Sequence, residues 1–170
     1  MMWKKSHRAD KRALGIADRH YNRQKPGTPQ FVPPGRCFVL LSMDENALWV
    51  TSWPFAEYVK HAWPGAWVNS LFRNESDLKA SDLIRQAVAA TRWRYGEPPE
   101  LGMISFIDSQ HVKPIKRRGK EMWGYTYLKA GFQHVGETKG GLLAFQLLPQ
   151  DMPDPEPCIN GQLVLLDNAA

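Results

Sequence analysis

The chain has 170 residues, carries a formal net charge of +5, and is 43% hydrophobic and 23% charged, with seven Trp, seven Phe and five Tyr. Those values fit a single globular domain and exclude a chain disordered throughout. No stretch approaches the roughly 18 uncharged residues that a membrane helix needs, which argues against a membrane-spanning protein.

Residues 1–17 are polar and basic and read as an N-terminal extension, with Leu14, Ile16 and Ala17 hinting at a short helix. No apolar run follows the basic start, so no secretory signal is expected. Cys37 and Cys158 are too few for a disulfide framework, and they are expected to be reduced thiols in a cytoplasmic protein. Prolines and glycines between residues 26 and 35 predict a loop. Residues 36–42 read as a buried strand, 44–46 as a turn and 47–53 as a second strand, together a hairpin. Pro54 is expected to open a short helix with Phe55, Tyr58, Val59 and Ala62 on one face.

A strand over 66–73 and a polar turn over 74–80 follow, then a helix capped by Ser81 and running to about residue 95. Residues 101–108 predict a strand, 113–120 a basic loop, and 123–130 a short helix closed by Gly131. The last strands fall at 133–137 and 141–148. The boundaries are therefore 18–149 for the domain and 150–170 for an extended or disordered, proline-rich and acidic tail. The expected fold class is α/β (α+β): one domain with a mixed, mostly antiparallel sheet, flanking helices and at least one βαβ crossover.

The most specific string is Tyr125-Thr126-Tyr127-Leu128-Lys129-Ala130-Gly131-Phe132, followed by Val135-Gly136. It resembles the Y-x-K-x-G-F…G ending of the acyl-coenzyme A N-acetyltransferase (GNAT) superfamily. The resemblance implies acetyl-CoA or a related acyl donor as cofactor, with Tyr127 near the donor sulfur. A phenol there can give a proton to a departing thiolate. That superfamily holds the donor's diphosphate on a glycine-bearing turn before the long helix. Here residues 73–81 contain no glycine, and the resemblance assigns donor contacts to Arg73, Asn74, Ser76, Ser81 and Tyr125.

A narrower resemblance is to the Mom-type phage DNA-modification proteins. It rests on His20-Tyr21-Asn22, Arg73-Asn74, Ser105-Phe106-Ile107-Asp108, Gly124-Tyr125-Thr126-Tyr127 and Gly136, which follow the order of those proteins over about residues 18–138. It implies DNA as partner and the exocyclic N6 amine of adenine as acceptor, an anti-restriction modification. His20 and Tyr21 are then candidates for base or substrate contact, because imidazole titrates near neutral pH. Asp108 is expected to orient His20 or to take the amine's proton, and Ser105 is a lesser candidate.

Lys113, Lys116, Arg117, Arg118 and Lys120 put five cations within eight residues, suited to phosphate contacts at the mouth of the site. Trp63, Trp67 and Trp123 are candidates to stack on an extruded base, although core packing suits most of them better. The five histidines show no metal-ligand spacing. Charge alone does not separate DNA phosphates from cofactor phosphates. Two other readings stay open: an N-acetyltransferase of a small amine or protein, and a non-catalytic nucleic-acid-binding module. Monomer and homodimer are both compatible with the sequence.

Overall fold

A computed structural model describes residues 1–23, 25–32 and 34–160. It contains a hairpin of β2 (Cys37–Ser42) and β3 (Ala47–Ser52), turned by residues 43–46. Both strands are buried on both faces, as their unbroken apolar runs predict. β4 (Trp67–Asn74) pairs antiparallel with β3, and helix α2 (Ala80–Tyr95) then crosses over to β5 (Met103–Ile107). β4 and β5 form the one parallel pair among the described strands. With β1 (Trp3–Lys5), β8 (Gln133–Glu137) and β9 (Leu143–Leu147), the sheet has seven strands in the order β1-β2-β3-β4-β5-β9-β8. The architecture is a single α+β domain, as expected.

Each face of the sheet has its own cover. Leu83, Ile84, Ala87 and Val88 of α2 pack on Trp3, Leu40, Trp49, Trp67, Met103, Phe145 and Leu147. The short helix α3 (Tyr125–Lys129) completes that layer with Tyr127. On the other face α1 (Lys11–Asp18) buries Ala13, Ile16 and Ala17 against Val39, Leu41, Leu48, Val50 and Leu71. Asp10 caps α1 by accepting from the Arg12 N–H. Among the described residues no helix is long and apolar enough to cross a membrane.

Several expectations are corrected. Residues 1–17 are no extension, because β1 pairs with β2 and the Trp3 indole is fully buried, donating from Nε1 to the Leu83 carbonyl at 2.8 Å. The segment after residue 149 opens with a single 3₁₀ turn (Pro149–Asp151) and then lies extended against the body as far as residue 160. Met152 is buried, the Pro153 carbonyl accepts from Arg92, and Ile159 bridges to Lys4. The rest of the expected tail, 161–170, lies outside the described residues.

The helix expected after Pro54 is only one 3₁₀ turn, Ala56–Tyr58, with Phe55 and Tyr58 exposed. An apolar face that short cannot sustain a helix unless something packs on it. Ser81 does not cap α2. The N-cap position lies two residues earlier, at Lys79, and Ser81 is buried in the helix's first turn. The basic loop is a second hairpin, β6 (Ile115–Arg117) with β7 (Lys120–Met122). Arg118 and Gly119 turn it with φ of 52° and 76°, the two positive values that a tight primed turn requires.

Candidate active site

The site begins where the sheet opens. β4 and β5 pair only through Trp67↔Met103, Val68↔Ile104 and Asn69↔Ser105. Beyond that point the strands part, leaving a cleft of about 300 Å3 lined by Asn69–Phe72, Ser105–Ile107, His20–Asn22 and α3. A β-bulge shapes the β4 wall. Val50 pairs with Leu71 and Thr51 with Asn69, so Ser70 is skipped in the backbone register with β3. The Ser70 carbonyl accepts from Asn22 Nδ2 at 2.9 Å, which docks the His20-Tyr21-Asn22 segment at the cleft.

Asn69 organises the floor. Its Nδ2 donates to the Val50 and Leu71 carbonyls at 3.2 and 2.9 Å, the backbone groups at the bulge. Those bonds fix Oδ1 as the acceptor, and it receives Tyr127 Oη at 2.6 Å and Ser105 Oγ at 3.2 Å. Burial pushes the Tyr127 phenol well above its ordinary range, so it stays protonated at neutral pH. α3 holds that phenol in place. Its N-cap is Gly124, whose φ is 72°, and any Cβ there would overlap the Phe145 ring.

At the rim three rings stack. Tyr21 lies 4.6 Å from His20 and 5.8 Å from His111, centroid to centroid. Asp108 does not orient His20, as the sequence had implied. Its Oδ2 meets His111 Nδ1 at 2.7 Å, because residues 108–112 form a turn that folds His111 back on Asp108. The Gln110 N–H and then His111 hold the Asp108 carboxyl below its usual range. His20 Nδ1 faces Asn22 Oδ1 at 2.6 Å instead.

Burial lowers the His20 pKa, assisted by the Arg73 charge, and outweighs the favourable contacts with Asn22 and the Phe72 backbone. A histidine whose pKa is lower folded than unfolded binds fewer protons in the native state. Its contribution to stability is whole above the unfolded value near 6.5 and is lost as the pH falls through it. We expect the His20 imidazole NMR signal to titrate below 6.5. We also expect His20→Gln to lose less stability than wild type from about pH 7 to pH 5. A midpoint at or above 6.5 would count against this environment.

The expected donor contacts are not gathered at the cleft, apart from Tyr125. Arg73 and Arg19 pair with Glu75 at 2.6 Å each and hold its pKa down to about 2. Asn74 and Ser76 spend their polar groups within the turn before α2, bonding each other and Leu78. Of the basic residues, Lys113 lines the cleft, while Lys116, Arg118 and Lys120 are exposed on the hairpin. Arg117 stacks on Tyr125, 5.0 Å from its ring centre, and bonds its hydroxyl. Trp67 is core, and Trp123 donates to the Val112 carbonyl. Among the described residues no group of three or more His, Cys, Asp or Glu is placed to hold a metal ion. Comparison with protein-family models, curated proteins and solved structures finds no match.

Proposed function

We propose that this protein is an acyltransferase-type enzyme that modifies the N6 amine of adenine in DNA. The observation that carries the reading is the buried, protonated Tyr127 at the floor of a cleft between parting parallel strands, with a basic hairpin at the rim. The residues present suit a slender thioester donor. The gap between β4 and β5 would take its arm, and the amides at the N-terminus of α2, which lacks a side-chain cap, would hold its diphosphate. Such a donor, when bound, supplies an acyl group on sulfur.

The side chains divide the remaining work. Tyr127 Oη holds its proton in a hydrogen bond donated to Asn69 Oδ1 and, by rotating about its Cζ–O bond, would present that proton to the leaving sulfur. His20, neutral at working pH, takes the one proton that the amine releases, and the Asp108–His111 pair backs the Tyr21 ring that stacks on it. Adenine N6 is a weak nucleophile, so positioning against the cleft supplies much of the rate. Lys113, Lys116, Arg118 and Lys120 bind DNA phosphates; among the described residues none of them is held in an ion pair.

The test is mass spectrometry of nucleosides from plasmid DNA in cells expressing the protein. Wild type is expected to yield an adenosine adduct whose mass identifies the transferred group. The Lys116→Ala/Arg117→Ala/Arg118→Ala variant is expected to yield roughly tenfold less, since each lost phosphate contact weakens binding. Unaltered nucleosides from well-expressed wild type would turn the reading toward a small-amine or protein acetyltransferase.

A further inference from the structure

Phe106 lines two cavities. One is the cleft, and the other is a space of about 600 Å3 between residues 60–63 and the β8–β9 turn at 137–142. Side chains alternate along a strand, so Phe106 points away from the Ser105 and Ile107 side of the sheet. It packs instead with Trp63, Val68 and Leu101 around Ala66, Ile104 and Ala144. The second cavity therefore opens on the face opposite α2 and α3. Its size falls within the roughly 300–1,000 Å3 of small-molecule sites.

Its walls are aromatic and basic. His61 lies 5.1 Å from Phe106, Trp63 lies 6.0 Å from Phe106, and His61 and Trp63 are 6.0 Å apart, ring centre to ring centre. The Trp63 backbone N–H donates to His61 Nδ1 at 3.0 Å, so the neutral imidazole carries its proton on Nε2, a donor without a partner among the described residues. Burial favours that neutral form. Lys60 and Lys139 flank the opening, with Glu137 and Thr138 on the turn. Planar rings, one neutral donor and two cations match a nucleotide: a base to stack, a ring acceptor to bond and phosphates to neutralise.

The sheet is open beside this cavity. β5 keeps its β9 pairing as far as Ile107 but loses β4 after Ser105, so the β4 side of Phe106 has no strand neighbour. We propose that the second cavity holds the unpaired acceptor base, stacked among His61, Trp63 and Phe106 with its phosphates on Lys60 and Lys139. Its exocyclic amine then meets the cleft through the gap at Phe106. This rests on the DNA-modification reading and adds that the substrate is single-stranded or extruded adenine, because a paired base could not enter.

The test is fluorescence polarisation with the full chain. The probes are a labelled 12-residue oligodeoxyadenylate and the same strand annealed to its complement. Wild type is expected to bind the single strand about tenfold tighter. Trp63→Ala and His61→Ala are expected to weaken that binding roughly tenfold, as loss of a stacking ring does. Lys139→Ala, at an exposed position, is expected to weaken it a few-fold and to lower the salt slope by about one.

No binding by wild type, equal affinity for both probes, or wild-type binding by both Trp63→Ala and Lys139→Ala would overturn the proposal. Discriminating binding without any adenosine adduct would uphold the base pocket and sink the modification reading. Adduct formation unchanged in Trp63→Ala and Lys139→Ala would sink the pocket and leave that reading standing.

Discussion

Tyr127→Phe is expected to lower adenine modification by about 10²- to 10⁴-fold, the usual yield of a positioned general acid, with little change in KM. The ring would stay where it is, packed edge-on against Phe72 and Phe132 and stacked on Phe145. Only the hydroxyl is lost. Asn69 Oδ1 would keep its bond from Ser105, so the stability cost should stay near 1 kcal/mol. Activity and folding are therefore expected to separate. Single-turnover transfer to an adenine-containing strand, read beside a urea unfolding curve, checks both. A loss of less than about threefold, with wild-type unfolding, would remove Tyr127 from the proton-transfer step.

The elements that were legible in the sequence are those whose signals are local. The β2–β3 hairpin announces itself by two apolar runs around an Asp-Glu-Asn turn, and α2 by its 3.6-residue periodicity and terminal glycine. β1 offered no such signal. It is three residues long with two lysines, and it exists because Trp3 finds α2 and β2 far along the chain. The site shows the same division. Tyr127, Tyr125, Ser105 and His20 were found by motif order, and they do line one cleft. Asn69 was missed, since an asparagine inside a strand is unremarkable until the bulge beside it is known. His111 was missed because only the fold lays Tyr21 over it.

Residue type also overstates availability. Arg73, Asn74 and Ser76 are good anion donors in isolation, yet their polar groups are used by Glu75 and by the turn itself. The turn before α2 is tied by side chain-to-backbone bonds from Asn74 and to Ser76, and the N-cap residue Lys79 adds no side-chain cap to the helix. Ser105 and Tyr127 converge on one oxygen, so their hydroxyls act as a unit that no spacing rule describes.

That convergence gives Asn69 a larger expected effect on stability than any residue read from the motifs. Asn69→Leu keeps the branching at Cγ, adds some bulk, and removes four polar contacts at once: two donated to the bulge carbonyls of β3 and β4, and two accepted from Ser105 and Tyr127. Each buried group left without a partner costs about 1–3 kcal/mol. The two hydroxyls can partly satisfy each other, so the net loss should be about 3–5 kcal/mol. Ser105→Ala removes one of the four contacts and should cost about 1 kcal/mol, because Tyr127 still fills Oδ1.

Transfer activity should separate the same pair of variants. Ser105→Ala leaves the phenol held and should stay active. Asn69→Leu frees the phenol and loosens the bulge on which Asn22 docks, so its transfer should fall even where the protein remains folded. Urea midpoints for both variants, with transfer measured at low denaturant, decide the point. An Asn69→Leu protein within about 1 kcal/mol of wild type would mean that the bulge and the phenol are held by other contacts. The Asn69 side chain would then not be the link between the strand irregularity and the proton donor.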